Sequence, residues 1–399
     1  MSATPLLRPT DGIPEVAHTP AGFHRAAQQI AAGRGPIAID TERASDYRFD
    51  DRAFLIQLRR RDSGTVLIAP ESDRGACTDA LAPVINGHEW VLHAAPSDLP
   101  SLQLLGLHPG SLFDTELAGR LLGLPKVNLA ALTEHILGVL LEKNHGNEDW
   151  SQWPLPESWR NYAALDVELL LELAEVLAEL LDDAGKLTWL EQECAHIMRS
   201  VTIPEPQWTD MKGIGRLKTS EQLMVAKALW ERRQQIARES DRAPHKVLAT
   251  KALVELAYTL PTSQRQIRSV LGRRSNTSQV TRLSRVLGKA RATPKLQWPS
   301  KPRIDFNDFP APRSQWKSGF PEAQEALDRC RELLSELSEN CHTPVENLLQ
   351  PATLRHLVWD VTVTRKLTTS ADVAQYLAEK GARQWQRELT TPLLASALF

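Results

Sequence analysis

The segment Ile37-Ala38-Ile39-Asp40-Thr41-Glu42 constrains this 399-residue chain more than any other. Its short apolar run predicts a strand over 36–40, and side chains on a strand alternate between the two faces. Ile37 and Ile39 then face one way, and Ala38, Asp40 and Glu42 the other. Two carboxylates side by side at the end of a buried strand repel each other, and the repulsion raises a pKa unless a cation lies between them. Alone, Asp-x-Glu also fits a solvated strand end, so its meaning depends on what the rest of the chain brings to it.

Further strands are expected at Phe54–Leu58, Thr65–Ile68, Trp90–Ala94 and Ser111–Asp114, with a long helix from Glu157 to Ala184 closing the unit. Three strands in quick succession, then strand–helix alternation, predict an α/β fold with a mixed sheet flanked by helices. From about Leu217 the strand signal disappears. Helical patterns run over 219–239, 250–258, 262–271 and 276–290, with turns at Pro244, Pro261 and Gly272. Five prolines over 291–318 predict a linker, and a second helical unit follows. The expected division is 1–205, a basic helical domain at 211–293, a linker at 294–318 and a C-terminal helical domain at 319–399.

The net charge of −2 conceals a division between these units. Residues 1–200 hold 16 Lys/Arg against 29 Asp/Glu, a balance of −13, whereas residues 211–303 hold 21 against 5, a balance of +16. A basic segment of this kind meets polyanions, and an acidic domain that acts on a polyanion needs cations. The four cysteines (Cys77, Cys194, Cys330, Cys341) form no CxxC, and the apolar runs are broken well short of a membrane span. Without a secretory leader pattern, the expectation is a cytoplasmic protein with reduced thiols and no membrane association.

Two further carboxylates can join the first pair. Asp166 interrupts the apolar stripe Tyr162, Leu169, Leu170, Leu173, Val176, Leu177, Leu180, one helical turn after Tyr162 and on the same face. An unpaired carboxylate in a core position costs several kcal/mol or is neutralised, so Asp166 is either bonded to nearby backbone or a metal ligand. Asp98 follows the strand Trp90–Leu92 in His93-Ala94-Ala95-Pro96-Ser97-Asp98, where by itself it reads as a helix cap.

Taken together with Leu55-Ile56-Gln57-Leu58, Leu92-His93-Ala94, Phe113-Asp114-Thr115, Asp149-Trp150 and Tyr162-Ala163-Ala164-Leu165-Asp166-Val167, the order DxE, D, YxxxD resembles the ribonuclease D family, in the Tyr-containing branch of the DEDD exonucleases. The resemblance implies a ribonuclease H-like fold and hydrolysis of RNA 3′ ends, such as those of tRNA precursors, to nucleoside 5′-monophosphates. It also implies two divalent cations, Mg²⁺ or Mn²⁺. By position, Asp40, Glu42 and Asp166 would hold the nucleophile-side ion. Asp40 would bridge to a second ion supported by Asp98, directly or through water, and Tyr162 would orient the attacking water. Thr41, Arg43, His93, Lys143 and Trp150 are the expected nucleic-acid contacts in this domain. Two positions depart from the family pattern: Arg43, where relatives carry an apolar or aromatic residue, and Trp153, where they carry Arg.

Residues 217–290 resemble the HRDC domain through Ala228-Leu229-Trp230-Glu231-Arg232-Arg233, Asp241-Arg242-Ala243-Pro244, Val247-Leu248, Leu256-Ala257 and Pro261. Arg232, Arg233, Arg273 and Arg274, with Arg238, Arg242, Arg282 and Arg285, are its expected phosphate contacts. Residues 319–399 form a second, weaker candidate for the same module. No obligate protein partner is expected. The alternatives are a DNA 3′→5′ exonuclease, since the same site cleaves either backbone, and an RNA-binding scaffold. The five intact catalytic-type positions weigh against the scaffold, and the absence of a G-x-x-x-x-G-K-[ST] loop weighs against a helicase.

Overall fold

The computed structural model describes residues 3–141, 148–203, 205–272, 275–300 and 310–399. Its strands are β1 (Thr4–Leu6), β2 (Val16–Ala17), β3 (Arg34–Arg43), β4 (Ala53–Arg61), β5 (Gly64–Ile68), β6 (Glu89–Leu92), β7 (Ser111–Asp114) and β8 (Val139–Leu141). Six of them form a sheet in the order β2-β5-β4-β3-β6-β7, and β1 pairs with β8 apart from it. β3, β4 and β5 run antiparallel to their neighbours among themselves, while β6 and β7 extend the sheet in parallel. The sheet is therefore mixed, as the strand spacing predicts.

β3 separates two packed layers. Ile37 and Ile39 are fully buried against α1 (Pro20–Ala31) and α2 (Arg74–Ile85), where Phe23, Ile30, Cys77 and Leu81 fill the same core. Ala38, on the other face, packs with Val91, Val167, Leu170, Leu171 and Ala174. That face is covered by α4 (Glu157–Glu168) and α5 (Leu170–Asp183), which follow α3 (Thr115–Leu121) in the chain. The pairing of β3 with β4 slips after Glu42: Glu42 lies opposite Leu55, but Arg43 lies opposite Ala53. A bulge of this kind ends regular pairing and adds twist beside the acidic pair.

The single helix expected over Glu157–Ala184 is two helices. Leu169 leaves helical geometry at φ −112° and ψ 4°, without a proline or glycine to mark the break. The break serves both ends. Glu168, just before it, turns inward to pair with Arg59 at 3.0 Å and to accept from the Thr10 backbone N–H at 2.9 Å. After the break, Leu173, Leu177 and Leu181 reach the central core, while Leu180, assigned to the apolar stripe from the sequence, is exposed.

α6 (Leu187–Ser200) leads to a helical unit formed by α7 (Ser220–Glu239), α8 (Thr250–Thr259), α9 (Gln264–Leu271) and α10 (Thr277–Ala292). This unit has its own core, including Leu223, Leu229, Leu253, Ile267 and Leu287. It also grips the first domain through the segment between β3 and β4. Asp241 accepts both Arg52 Nη atoms, at 3.1 and 2.8 Å, and the Ala243 N–H donates to the Tyr47 carbonyl at 3.1 Å. Lys246 Nζ lies 3.8 Å from the Tyr47 ring centroid.

The C-terminal helices α11 (Pro321–Cys341), α12 (Pro351–Thr362), α13 (Ser370–Glu379) and α14 (Gln384–Leu398) enclose Trp316 and Trp359. Trp316 and Ala311 fall in the stretch expected to be linker, yet both are buried in this core, so the core begins before residue 319. Nor is the core isolated: Leu348 and Trp385 belong to the central core of the first domain. Trp385 stacks on Trp189 with ring centroids 4.5 Å apart, and its Nε1 donates to Glu193 Oε1 at 3.0 Å. The buried Lys186 ammonium donates to the Leu121 carbonyl at 2.6 Å and to Thr343 Oγ1 at 3.1 Å. The two segments approach so closely there that a Cβ at Gly123 would collide with the His342 carbonyl. Among the described residues, no helix is long and apolar enough to cross a membrane.

Candidate active site

Asp40 and Glu42 project from the covered face of β3 at its C-terminal end, where α4 crosses the strand. α4 presents Tyr162 and, one turn later, Asp166. Asp40, Glu42 and Asp166 each place a carboxylate oxygen within 4.8 Å of the other two. The Tyr162 hydroxyl is hydrogen-bonded to Asp166. The alternation of β3 and the 3.6-residue period of α4 together bring these side chains to one point.

Asp98 stands at one remove. It lies where the chain enters the helical turn Leu99–Gln103, and it is 4% exposed. Thr41 Oγ1 donates to its Oδ1 at 2.7 Å, and Ser97 Oγ to its Oδ2 at 2.8 Å. This corner is fixed by a carboxylate that sequence reading left without a role. Asp114, at the end of β7, caps α3 through the Glu116 and Leu117 N–H groups and accepts the Ala94 and Ala95 N–H groups at 3.1 and 2.8 Å. Ala94 sits in the left-handed region at φ 59°, a conformation that costs a non-glycine residue energy and that these bonds help to hold. Burial nevertheless pushes the Asp114 carboxyl up to about 6.

The electrostatics of the cluster are unfavourable without a cation. Burial, then repulsion from Asp98 and Asp166, holds the Asp40 carboxyl well above the usual range. Glu42 is raised by burial and then by Asp40, Asp166 and Asp98. Burial pushes Asp166 up to about 7, against the hydrogen bond from Tyr162. Arg43 is the positive side chain acting on the cluster: it pulls Asp40, Glu42 and Asp98 downward but does not offset the rest. Carboxylates crowded in this way fit a divalent cation, and an all-oxygen donor set suits a hard one.

The expected nucleic-acid contacts divide sharply. Arg43 is beside the cluster and half-buried. The Thr41 side chain is buried, and its hydroxyl is taken up by Asp98. Trp150 is 2% exposed, packed on Trp159 and Tyr162 with ring centroids 5.2 and 6.4 Å away; it is a core residue. Arg233 is 6% exposed and donates to Thr250 Oγ1 at 3.0 Å inside the helical unit. Trp150 and Arg233 are corrections, and the spacing Ala226, Leu229, Arg233, Ala237 along the buried face of α7 carried the signal for the latter. His93 is half-buried, with Nδ1 2.9 Å from Thr115 Oγ1. Arg232 lines a cavity of about 520 Å³ with Arg282, Arg285 and Lys289, the last of which sequence reading missed. Lys143, Arg273 and Arg274 lie outside the described residues.

Comparison with known proteins gives three family matches: a 3′–5′ exonuclease over residues 14–182, an HRDC domain over 222–281, and a 3′ to 5′ exonuclease C-terminal domain over 309–398. The ribonuclease D of Gluconacetobacter diazotrophicus is 30% identical over 234 residues, which cover 56% of this chain and 58% of that protein. The match thus spans under two thirds of that relative's length. A structure of a protein from Bifidobacterium adolescentis is 34% identical and covers 100% of both chains with a TM-score of 0.87. Escherichia coli RNase D, described as an exoribonuclease involved in structured RNA processing, shares the fold: 23% identity, 92% of this chain and 99% of that one, TM-score 0.68.

Proposed function

The chain belongs to the ribonuclease D family, and on that premise we propose that it is a metal-dependent 3′→5′ exoribonuclease that trims the 3′ ends of structured RNA, tRNA precursors among them. The observation that carries the reading is the convergence of Asp40, Glu42 and Asp166 within 4.8 Å, with the Tyr162 hydroxyl bonded to Asp166. Held by these three, with Asp98 alongside, Mg²⁺ or Mn²⁺ would supply a hydroxide nucleophile near neutral pH and charge to stabilise the leaving 3′ oxygen. Tyr162 orients the attacking water. Thr41 and Ser97 fix Asp98, and Asp114 fixes the corner that carries it. Arg43 meets the terminal nucleotide.

The basic helical unit supports the same reading. Arg232, Arg282, Arg285 and Lys289 surround one cavity and are suited to phosphates, which position a nucleic acid without reading its sequence. The four cysteines are free thiols, in keeping with a cytoplasmic enzyme.

The test is digestion of a 5′-labelled single-stranded RNA with Mg²⁺ or Mn²⁺, beside a matched DNA, by the wild type, Asp40→Asn and Asp166→Asn. A descending ladder from RNA that disappears in both variants and with EDTA is the expected result. A ladder from DNA alone transfers the activity to the other backbone. Intact RNA and DNA in every lane would sink the nuclease reading.

A further inference from the structure

A second concavity, which the chemistry above does not use, is lined by the turn that follows Asp149 and the start of β4. Trp150, whose ring packs against Tyr162, forms its floor, with Phe54, Ala69 and Leu155. Its rim is formed by His18 and Trp153. Trp153 is 51% exposed, a large apolar side chain left in solvent, and its ring centroid lies 4.5 Å from that of His18. Gln152, exposed beside them, presents an amide at the mouth. The cavity holds about 270 Å³. That is below the roughly 300–1,000 Å³ of sites for drug-sized ligands, and fits one flat ring system rather than a whole nucleotide.

We infer that this slot binds a nucleobase of the single-stranded RNA being degraded, stacked on Trp153, with Gln152 beside the base edge. The inference rests on the nuclease reading for the identity of the strand. The occupant is argued from three features together. The rim carries the exposed ring of Trp153 beside His18, and an exposed aromatic face stacks on any base. The volume admits one base and excludes its sugar-phosphate, which stays in solvent. Its floor residue Trp150 packs on Tyr162, with ring centroids 6.4 Å apart, so the slot adjoins the side chain that is bonded to Asp166. An aromatic side chain of a protein partner would meet the same walls, and the experiment separates the two.

The experiment is an abasic scan in the presence of EDTA, so that no strand is cut. Binding of 5′-fluorescein RNA decamers, each lacking one base among the six nearest the 3′ end, is followed by anisotropy with wild type, Trp153→Ala and Trp153→Phe. One position is expected to weaken binding to the wild type by about ten-fold, a single stacked base. That penalty should vanish in Trp153→Ala and return in Trp153→Phe. Identical scans in wild type and Trp153→Ala, or no binding to the wild type at all, overturn the slot. Hydrolysis of the intact decamer with Mg²⁺ is measured separately. Its absence with the abasic cycle intact would fail the nuclease reading and leave the base site standing.

Discussion

Thr41 Oγ1 donates to Asp98 Oδ1 over 2.7 Å, joining the strand that carries Asp40 and Glu42 to the corner after β6. Both partners are buried. Thr41→Val keeps the shape and removes the donor, leaving a buried carboxylate short of one bond at a cost of about 1–3 kcal/mol. Turnover on RNA should fall at least ten-fold, while Thr41→Ser retains most of it. Equal activity in the Val and Ser variants would show that the bond does not position Asp98 for the reaction.

Divalent cations should stabilise the folded chain, because they relieve repulsion among Asp40, Glu42 and Asp166. At about 100 times the dissociation constant the gain is about 2.7 kcal/mol. Thermal unfolding with Mg²⁺ or Mn²⁺ against EDTA reads this as a rise of several degrees. Asp166→Asn should unfold at a higher temperature than the wild type in EDTA and respond little to the metal. A wild type indifferent to both ions would argue against the cluster as a cation site.

The docking of the basic helical unit depends on Asp241, whose carboxyl is held below its usual value by hydrogen bonds from Arg52 and from the Phe49 N–H. A depressed carboxyl contributes stability above its ordinary value near 3.8, and that contribution is lost as pH falls through the lower folded value. Asp241→Ala should raise amide exchange over residues 44–52 several-fold at pH 7, and high salt should do the same in part. Exchange unchanged in the variant would mean that the cation–π contacts of Tyr47 and Phe49 suffice.

His93 gives the opposite flank a separate pH response. Burial lowers its pKa from 6.5 to about 4, with Glu116 pulling weakly the other way. A depressed histidine contributes stability fully present above 6.5 and lost as pH falls toward 4, amounting to about 2 kcal/mol by about pH 5. Urea unfolding between pH 7 and 5 should therefore weaken more in the wild type than in His93→Gln. Parallel slopes in the two proteins would place the ring in solvent.

Alternation and period were enough to place Asp40, Glu42, Tyr162 and Asp166, because strand and helix geometry leave few directions for each side chain. They could not reveal β1 and β8, three residues each, whose pairing Thr4 to Val139 depends on chain brought together from far apart. The break at Leu169 has no local signal either; what turns the chain is the inward reach of Glu168 to Arg59. Trp150 was misread for a related reason. The resemblance through Asp149-Trp150 marks it as a nucleic-acid contact, but only packing shows that Trp159 and Tyr162 lie against its ring. The exposed aromatic is Trp153, three residues on.

Leu348 and Trp385, near the far end of the sequence, complete the core that Ile37 and Ile39 begin. The polypeptide is thus fastened at both ends of its order, and the basic middle unit hangs between them as an excursion with a core of its own. A nonsense lesion late in the reading frame would therefore act as a core mutation in the catalytic domain, stripping an indole from Trp189 and a hydrogen bond from Glu193. Of the two helical units, it is the middle one that can be removed by joining the flanking helical segments without opening that core.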